Sequence, residues 1–463
     1  MTKKISLVLL LVFTVLFFDA CRIKGTDSGT DTLAGVVLDY YKFGDEKDVM
    51  EPIIADYLQD KKGLTINYRY FNDFDQYQRV ILNEMAEGEG PDIFSMPNSW
   101  FFSNYKKLSP LPPEYGTVSD FDTLFVDSAS KDLIVTDIDG FDKVYGVPMT
   151  IDTLALYYNK RHFEEKIPSQ GRPSATWDGI KDDVSLLNVY NLETGVLETG
   201  GLALGLSSNI YFAVDVFYAL LVQSGISFYD ERMSTTKFSS SQTGTKNSLS
   251  DLLKLFASFS DSTMKNYSWN SLLSDSESEY KDIEAFVNGR VSMIFGYSDV
   301  YEKILSLISE SSRFSSTVIS KEDVKVAPFP QFDTSSSGKI TYASYFAETV
   351  SRNCERPDLA WDFLIYLTQK KTLTSYFDKT KKPTSRRDMI EEQSKHPIYG
   401  VFVTQIGFSK SFPIVDLSYY GKVFSNMLEF IGQGGDITRA YKEAENSING
   451  LLPSKGFIND KID

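Results

Sequence analysis

The chain has 463 residues, 42% of them hydrophobic and 14% aromatic, enough for a large core and for two or three domains. Its 47 basic and 63 acidic side chains leave a net charge of −16, which argues against nucleic acid or an anionic membrane face as partner and leaves a neutral ligand open. With only Cys21 and Cys354 there is no disulfide framework, and no later segment is a continuous apolar stretch long enough to span a bilayer.

Lys3 and Lys4 precede an apolar run from Ile5 to Phe18 and then Ala20-Cys21, the pattern of a secretory signal over residues 1–20. Cys21 stands where a bacterial lipoprotein signal carries its lipid-modified cysteine, although Phe18 and Asp19 hold places that usually carry an aliphatic and a small residue. An ordinary signal peptide cut near Ala20 is the alternative. Losing Lys3, Lys4 and Asp19 with the signal leaves 45 basic against 62 acidic side chains, a charge of −17. Residues 21–33 are polar and aperiodic and read as a flexible, lipid-bearing tether.

Gly35 to Leu38 reads as a buried strand, Asp45 to Leu58 as a helix and Leu64 to Tyr70 as an alternating strand. Phe74 to Glu87 has helical spacing, with Tyr77, Val80, Ile81 and Met85 on one side, and Asp92 to Phe94 is a short strand. This alternation predicts an open α/β sheet with right-handed crossovers. Val144 to Asn159 reads as extended; Tyr211 to Gln223, Leu249 to Phe259 and Asp282 to Val287 read as helices. Ser234 to Ser250, rich in Ser, Thr and Lys, reads as a surface loop. Strands follow at Val291 to Phe295 and Val324 to Phe329. An amphipathic helix over Pro357 to Thr368 turns Leu359, Trp361, Phe363, Leu364 and Tyr366 inward, and helices over Val415 to Ile431 and Ile437 to Leu452 close the chain.

Catalytic motifs are scarce. His162 and His396 are far apart and read as surface or capping residues, and no phosphate loop, nucleophile elbow or His-Glu-x-x-His is present. Asp137-Ile-Asp139-Gly140 lacks the later acidic ligand of a calcium loop and reads as a polar turn. Spacing alone leaves a glycosidase carboxylate pair open. Aromatic residues just after strands, Phe43, Trp100 and Tyr297, point to a cleft, because ligands of open α/β sheets bind outside the carboxyl ends of strands.

An ordered series of segments resembles extracellular solute-binding proteins of the carbohydrate, maltose-binding type. It comprises Phe74 to Met85 with Gly90-Pro91-Asp92-Ile93-Phe94, Tyr145 to Pro148 with Asp152 to Lys160, Phe286 to Tyr297, Val326 to Pro330 and Ala360 to Leu364. The resemblance implies a two-lobed α/β fold of the periplasmic-binding-protein type (type II). Lobe one would hold 34–149 and 342–386, and lobe two 150–341 and 387–463. The chain would cross near Gly146 to Asp152, Thr341 to Ala347 and Lys382 to Asp388. The implied function is cleft closure on a sugar or oligosaccharide, delivered to an ABC permease. The protein would be a monomer without cofactor, exported and lipid-anchored at the outer face of the cytoplasmic membrane or in the periplasm. Ligand contacts implied by position are Phe43, Asn98, Ser99, Trp100, Asp152, Tyr211, Tyr297 and Tyr419. Met149 and Met96 stand where the family often, and maltose binders respectively, carry aromatic residues. A polyamine, a peptide, a sensory co-receptor role or a secreted carbohydrate-active enzyme are the competing readings.

Overall fold

The computed structural model describes residues 33–457 apart from 241–243, 275–276, 312–316 and 336–337. The expected signal segment, Cys21 and nearly all of the tether lie outside the described residues. Among the described residues no helix is long and apolar enough to cross a membrane.

Alternating apolar residues build the first sheet. Strand β1 (Val36–Phe43) pairs in parallel with β2 (Leu64–Phe71), from Val36 opposite Leu64 to Phe43 opposite Phe71. Helix α1 (Lys47–Leu58) makes the crossover between them. Pro52 inside α1 has no N–H for the Asp48 carbonyl, and the Lys379 ammonium fills that carbonyl instead. Helix α2 (Phe74–Glu87) starts where the Asp73 side chain accepts the Gln76 N–H and stops at Gly88, whose φ of 81° is the left-handed conformation of a helix stop. It leads to β3 (Ile93–Pro97). Later come α3 (Asp127–Leu133), a hairpin of β4 (Ile134–Thr136) and β5 (Asp142–Val144), and the short β6 (Val147–Pro148). Lys143 reaches both Asp137 and Asp139 in the hairpin turn, at 2.7 and 2.5 Å.

The chain then leaves this half through β7 (Asp152–Thr153) and enters a second, antiparallel sheet at β8 (Ala155–Asn159). Around it pack α4 (Trp177–Leu187), α5 (Ala213–Ser224), α6 (Leu249–Ala257) and α7 (Lys281–Val287). Strands β9 (Met293–Gly296) and β10 (Val324–Pro328) flank β8 on either side. Strand β11 (Thr341–Ser344) returns to the first half, where β12 (Phe346–Val350) lies antiparallel to β3 and β6. Helices α8 (Pro357–Leu367) and α9 (Lys370–Thr380) complete that half. The chain goes back through α10 (Gly400–Gln405) and β13 (Ser409–Lys410) to α11 (Leu417–Gly432) and α12 (Ile437–Asn449).

The fold is two-lobed, with a separate hydrophobic core in each half. One core runs from Leu38 to Ile151 and from Ala343 to Met389, with Ile406; the other runs from Leu154 to Tyr342 and from Ile398 to Leu452, with Phe377. A small sheet joins them: Ser344 of β11 pairs with Asp152 of β7, and Thr341 pairs with Ser409 of β13. At the third crossing Met389 belongs to the first core, and the Thr384 hydroxyl donates to its sulfur at 3.6 Å.

Lobe one holds an ion network inside its sheet. The Lys42 ammonium meets Glu348 and lies 3.4 Å from Asp45, and Asp45 also takes Lys382 at 2.6 Å and the Tyr376 hydroxyl at 2.7 Å. Three of these charges are almost fully buried, so removing one partner strands another and costs about 3–5 kcal/mol.

Two expectations are corrected. Tyr366 is only half-buried: its ring packs at the edge of the first core, 5.1 Å from Tyr57, and its hydroxyl donates to Asp56 at 2.7 Å. Ser234 to Ser250 is not simply a surface loop. Phe238 is buried with its ring 4.8 Å from Phe228, because the flanking Tyr229–Thr236 bridge folds it inward.

Candidate functional site

Lobe one turns an aromatic wall toward the cleft at the ends of its strands. Phe43, Phe74, Trp100 and Phe346 are all half-buried. Ring centroids lie 5.0 Å apart for Phe43 and Phe346, 5.5 Å for Phe43 and Phe74, and 5.8 Å for Phe74 and Trp100. The Trp100 indole N–H is buried and has no hydrogen-bond partner.

Asn98 and Ser99 are placed differently from their neighbour. Both are buried; Asn98 is held within lobe one, and Ser99 joins the lobes through its carbonyl. Asn98 Nδ2 donates to Asp132 at 2.9 Å, and the Ser99 carbonyl accepts the Ile414 N–H at 3.0 Å. Asp132 also accepts from the Tyr345 hydroxyl at 2.8 Å and from Ser411 at 2.5 and 2.7 Å. Burial pushes the Asp132 carboxyl up to about 6 against those donors.

Asp152 lies on the joining strand. Its Oδ1 accepts the Thr153 N–H at 2.8 Å, and its Oδ2 takes the N–H and hydroxyl of Ser298 at 3.0 and 2.5 Å. Burial, set against these donors, pushes it up to about 7. The carboxylate thus pins the Tyr297-Ser298 turn to β7. Tyr297 is buried too. Its hydroxyl donates to Asp215 at 2.8 Å and its ring stands edge-on to Phe212 at 5.2 Å, so it offers the cleft no open face.

Lobe two carries a recess beside the joining strand. A cavity of about 320 Å³ opens between α5, the 207–211 turn, β11 and α11, with Asp215, Tyr218, Tyr342, Ser344 and Gly421 in its walls. The turn is fixed by Glu429, whose Oε2 accepts the N–H groups of Ser207 and Ser208, each at 2.9 Å. Tyr211 stands at the cavity's edge, 44% exposed, with its ring 4.7 Å from Tyr280. Its N–H donates to the buried Asp282 at 3.2 Å, and burial pushes that carboxyl up to about 7.

Leu417, Gly421 and Ser425 give α11 its cavity-lining side, at i, i+4 and i+8. Tyr419 is two positions round the helix and leans away, its hydroxyl 3.5 Å from the Ser447 carbonyl on α12. Met96 and Met149 are buried in the first core and do not line the cavity. The two lobes also touch outside the hinge. The Ser418 hydroxyl donates to Asp75 at 3.0 Å, and Phe102 meets Phe457 edge-on at 5.3 Å.

Of the eight expected residues, Tyr211 reaches the cavity edge, Phe43 and Trp100 form the opposite wall, and Asp152 and Tyr297 support the floor indirectly. Sequence reasoning missed Asp215, Tyr218 and Tyr342. Asp215 carries a readable signal, the one charge in the apolar run Ala213 to Val222.

The family model of bacterial extracellular solute-binding proteins matches residues 53–398. The chain is a bacterial extracellular solute-binding protein. Solved structures agree with this solute-binding protein in fold. The sugar-binding protein MalE from Xanthomonas citri is 14% identical with a TM-score of 0.69, over 90% of this chain and 97% of that one. A cyclo/maltodextrin-binding protein complexed with maltotetraose is 19% identical with a TM-score of 0.66, over 89% and 96%. An ABC transporter solute-binding protein from Thermotoga lettingae, bound with α-D-tagatose, is 17% identical with a TM-score of 0.65, over 90% and 99%. No curated protein sequence matches the chain.

Proposed function

We propose that this solute-binding protein captures a sugar or short oligosaccharide outside the cell and hands it to an ABC-type importer. One observation carries the reading. A carboxylate, three tyrosines and three serines line one cavity beside the joining strand, and lobe one carries an aromatic cluster at its strand ends. Sugars present an apolar C–H face and a hydroxyl rim, which aromatic rings and carboxylates fit respectively. The sugars bound by its structural relatives support this choice of solute. A ligand touching both walls favours the closed arrangement over the open one by its difference in affinity for the two.

The same reading makes it a binding protein rather than an enzyme, and a monomer held to the membrane through Cys21. Lobe one then comprises 34–149 and 342–386. A melting-temperature screen over a sugar library tests the capture. A ligand at a hundred times its Kd adds about 2.7 kcal/mol of stability, and chromatography should return it unchanged. A cleaved ligand would instead indicate a hydrolase. Detergent partitioning tests the anchor: Cys21→Ser should move the protein from the detergent to the aqueous phase, and equal partitioning of the two proteins would refute lipidation.

A further inference from the structure

The cavity has a charge character that a plain sugar leaves unanswered. Among the described residues Asp215 is the only ionisable acid or base in its walls besides tyrosine, and no lysine, arginine or histidine lines it. The partner of the Asp215 carboxylate is a phenol, Tyr297 at 2.8 Å. The neighbouring acids are held in the same way. Asp152 has Thr153 and Ser298 as donors, and Asp132 has Asn98, Tyr345 and Ser411, all uncharged. A partly buried carboxylate with only neutral donors keeps a charge that a cationic group can still compensate.

A second, independent observation concerns Tyr218 and Tyr342. Both line the cavity at only 4% and 3% exposure, and neither hydroxyl has a hydrogen-bond partner among the described residues. A phenol oxygen accepts as well as donates. Two unengaged phenols beside an uncompensated carboxylate suit a donor-rich positive group better than a neutral hydroxyl. The excess of acidic side chains over the whole chain steers such a solute inward.

We propose that the cavity selects a solute bearing a primary amine, an amino sugar in the first instance, whose ammonium docks on Asp215 on the same cavity wall as Tyr218 and Tyr342. The proposal rests on the reading of this cavity as the sugar site. It deepens that reading by naming the charge of the ligand.

Calorimetric titration with matched pairs tests it: glucosamine against glucose, galactosamine against galactose, and deacetylated chitobiose against cellobiose, with putrescine as the amine without a sugar. The amine member of at least one pair should bind about tenfold or more tightly than its neutral twin, a difference of about 1.4 kcal/mol. Added salt should weaken that binding. Asp215→Asn should erase the preference and Asp215→Glu should keep it, with melting curves of both variants showing that they are folded. Neutral twins binding equally or better overturn the inference and leave the sugar reading standing. Putrescine binding without any amino sugar upholds the amine and overturns the sugar scaffold. No saturable binding by any amine at millimolar concentration overturns the inference outright.

Discussion

Tyr297 shows how one side chain can shape a site it does not face. Its ring is packed away against Phe212, while its hydroxyl donates to Asp215 and draws down a carboxyl that burial pushes up to about 6. Tyr297→Phe removes that donor. At pH 8, where Asp215 is ionised, the variant should lose about 1–3 kcal/mol in denaturant unfolding, the cost of leaving a buried charged acceptor unsatisfied. At pH 5 the carboxyl is protonated in both proteins and the loss should shrink. Equal losses at the two pH values would show that the hydroxyl matters through packing alone.

Helix α11 both closes the lobe-two core and lines the cavity, and its glycines separate the two tasks. An added Cβ at Gly432 would come within 2.0 Å of the Gly205 carbonyl, so the helix end and the 205 turn meet only because that residue has no side chain. At Gly421 an added Cβ meets nothing within 4 Å, yet the residue lines the cavity. Gly421→Ala should therefore raise stability by up to about 1 kcal/mol through helix propensity while weakening ligand binding. Thermal unfolding beside calorimetric titration reads the two effects separately.

Elements with strong periodicity were legible in the sequence. The Phe74 to Glu87 helix was read to the residue, and α11 and α12 within a few. The joining sheet was not legible, because β7 and β13 have two residues each and exist only where β11 supplies partners. Nor could spacing show which residue of Asn98-Ser99-Trp100 would face the cleft. That is decided by Asp132 and Ile414, which claim the first two from distant parts of the chain. Tyr419 fell on the wrong side of its helix because the register of α11 against α5 and α12 is a tertiary property.

For the whole molecule, buried acids set the response to pH. Burial holds Asp132 and Asp215 up to about 6 and Asp152 and Asp282 up to about 7, all above their ordinary 3.8. The folded chain therefore keeps protons that the unfolded chain releases, so stability falls as pH rises from about 4 to 7. His162 and His396, both lowered by burial, act in the opposite direction below 6.5, and the surface carboxylates with lowered values titrate beneath this window. With Asp183 and Asp299 also raised by burial, six acids outweigh two histidines. The Tm should be higher at pH 5.5 than at pH 7.5, and Asp282→Asn should flatten the difference.

The uneven division of the cavity between the lobes also sets an order of events in time. Its walls come from lobe two and the joining strand β11, and lobe one contributes the facing aromatic wall. A solute can thus lodge before the halves meet, and lobe one acts afterwards as the door that slows its escape. Trp100→Ala and Phe74→Ala should then raise the dissociation rate several-fold with little change in the association rate, as most affinity changes within one interface do. Tyr342→Ala should slow capture itself. Stopped-flow fluorescence resolves the two constants, and a slowed association in the lobe-one variants would reverse the order.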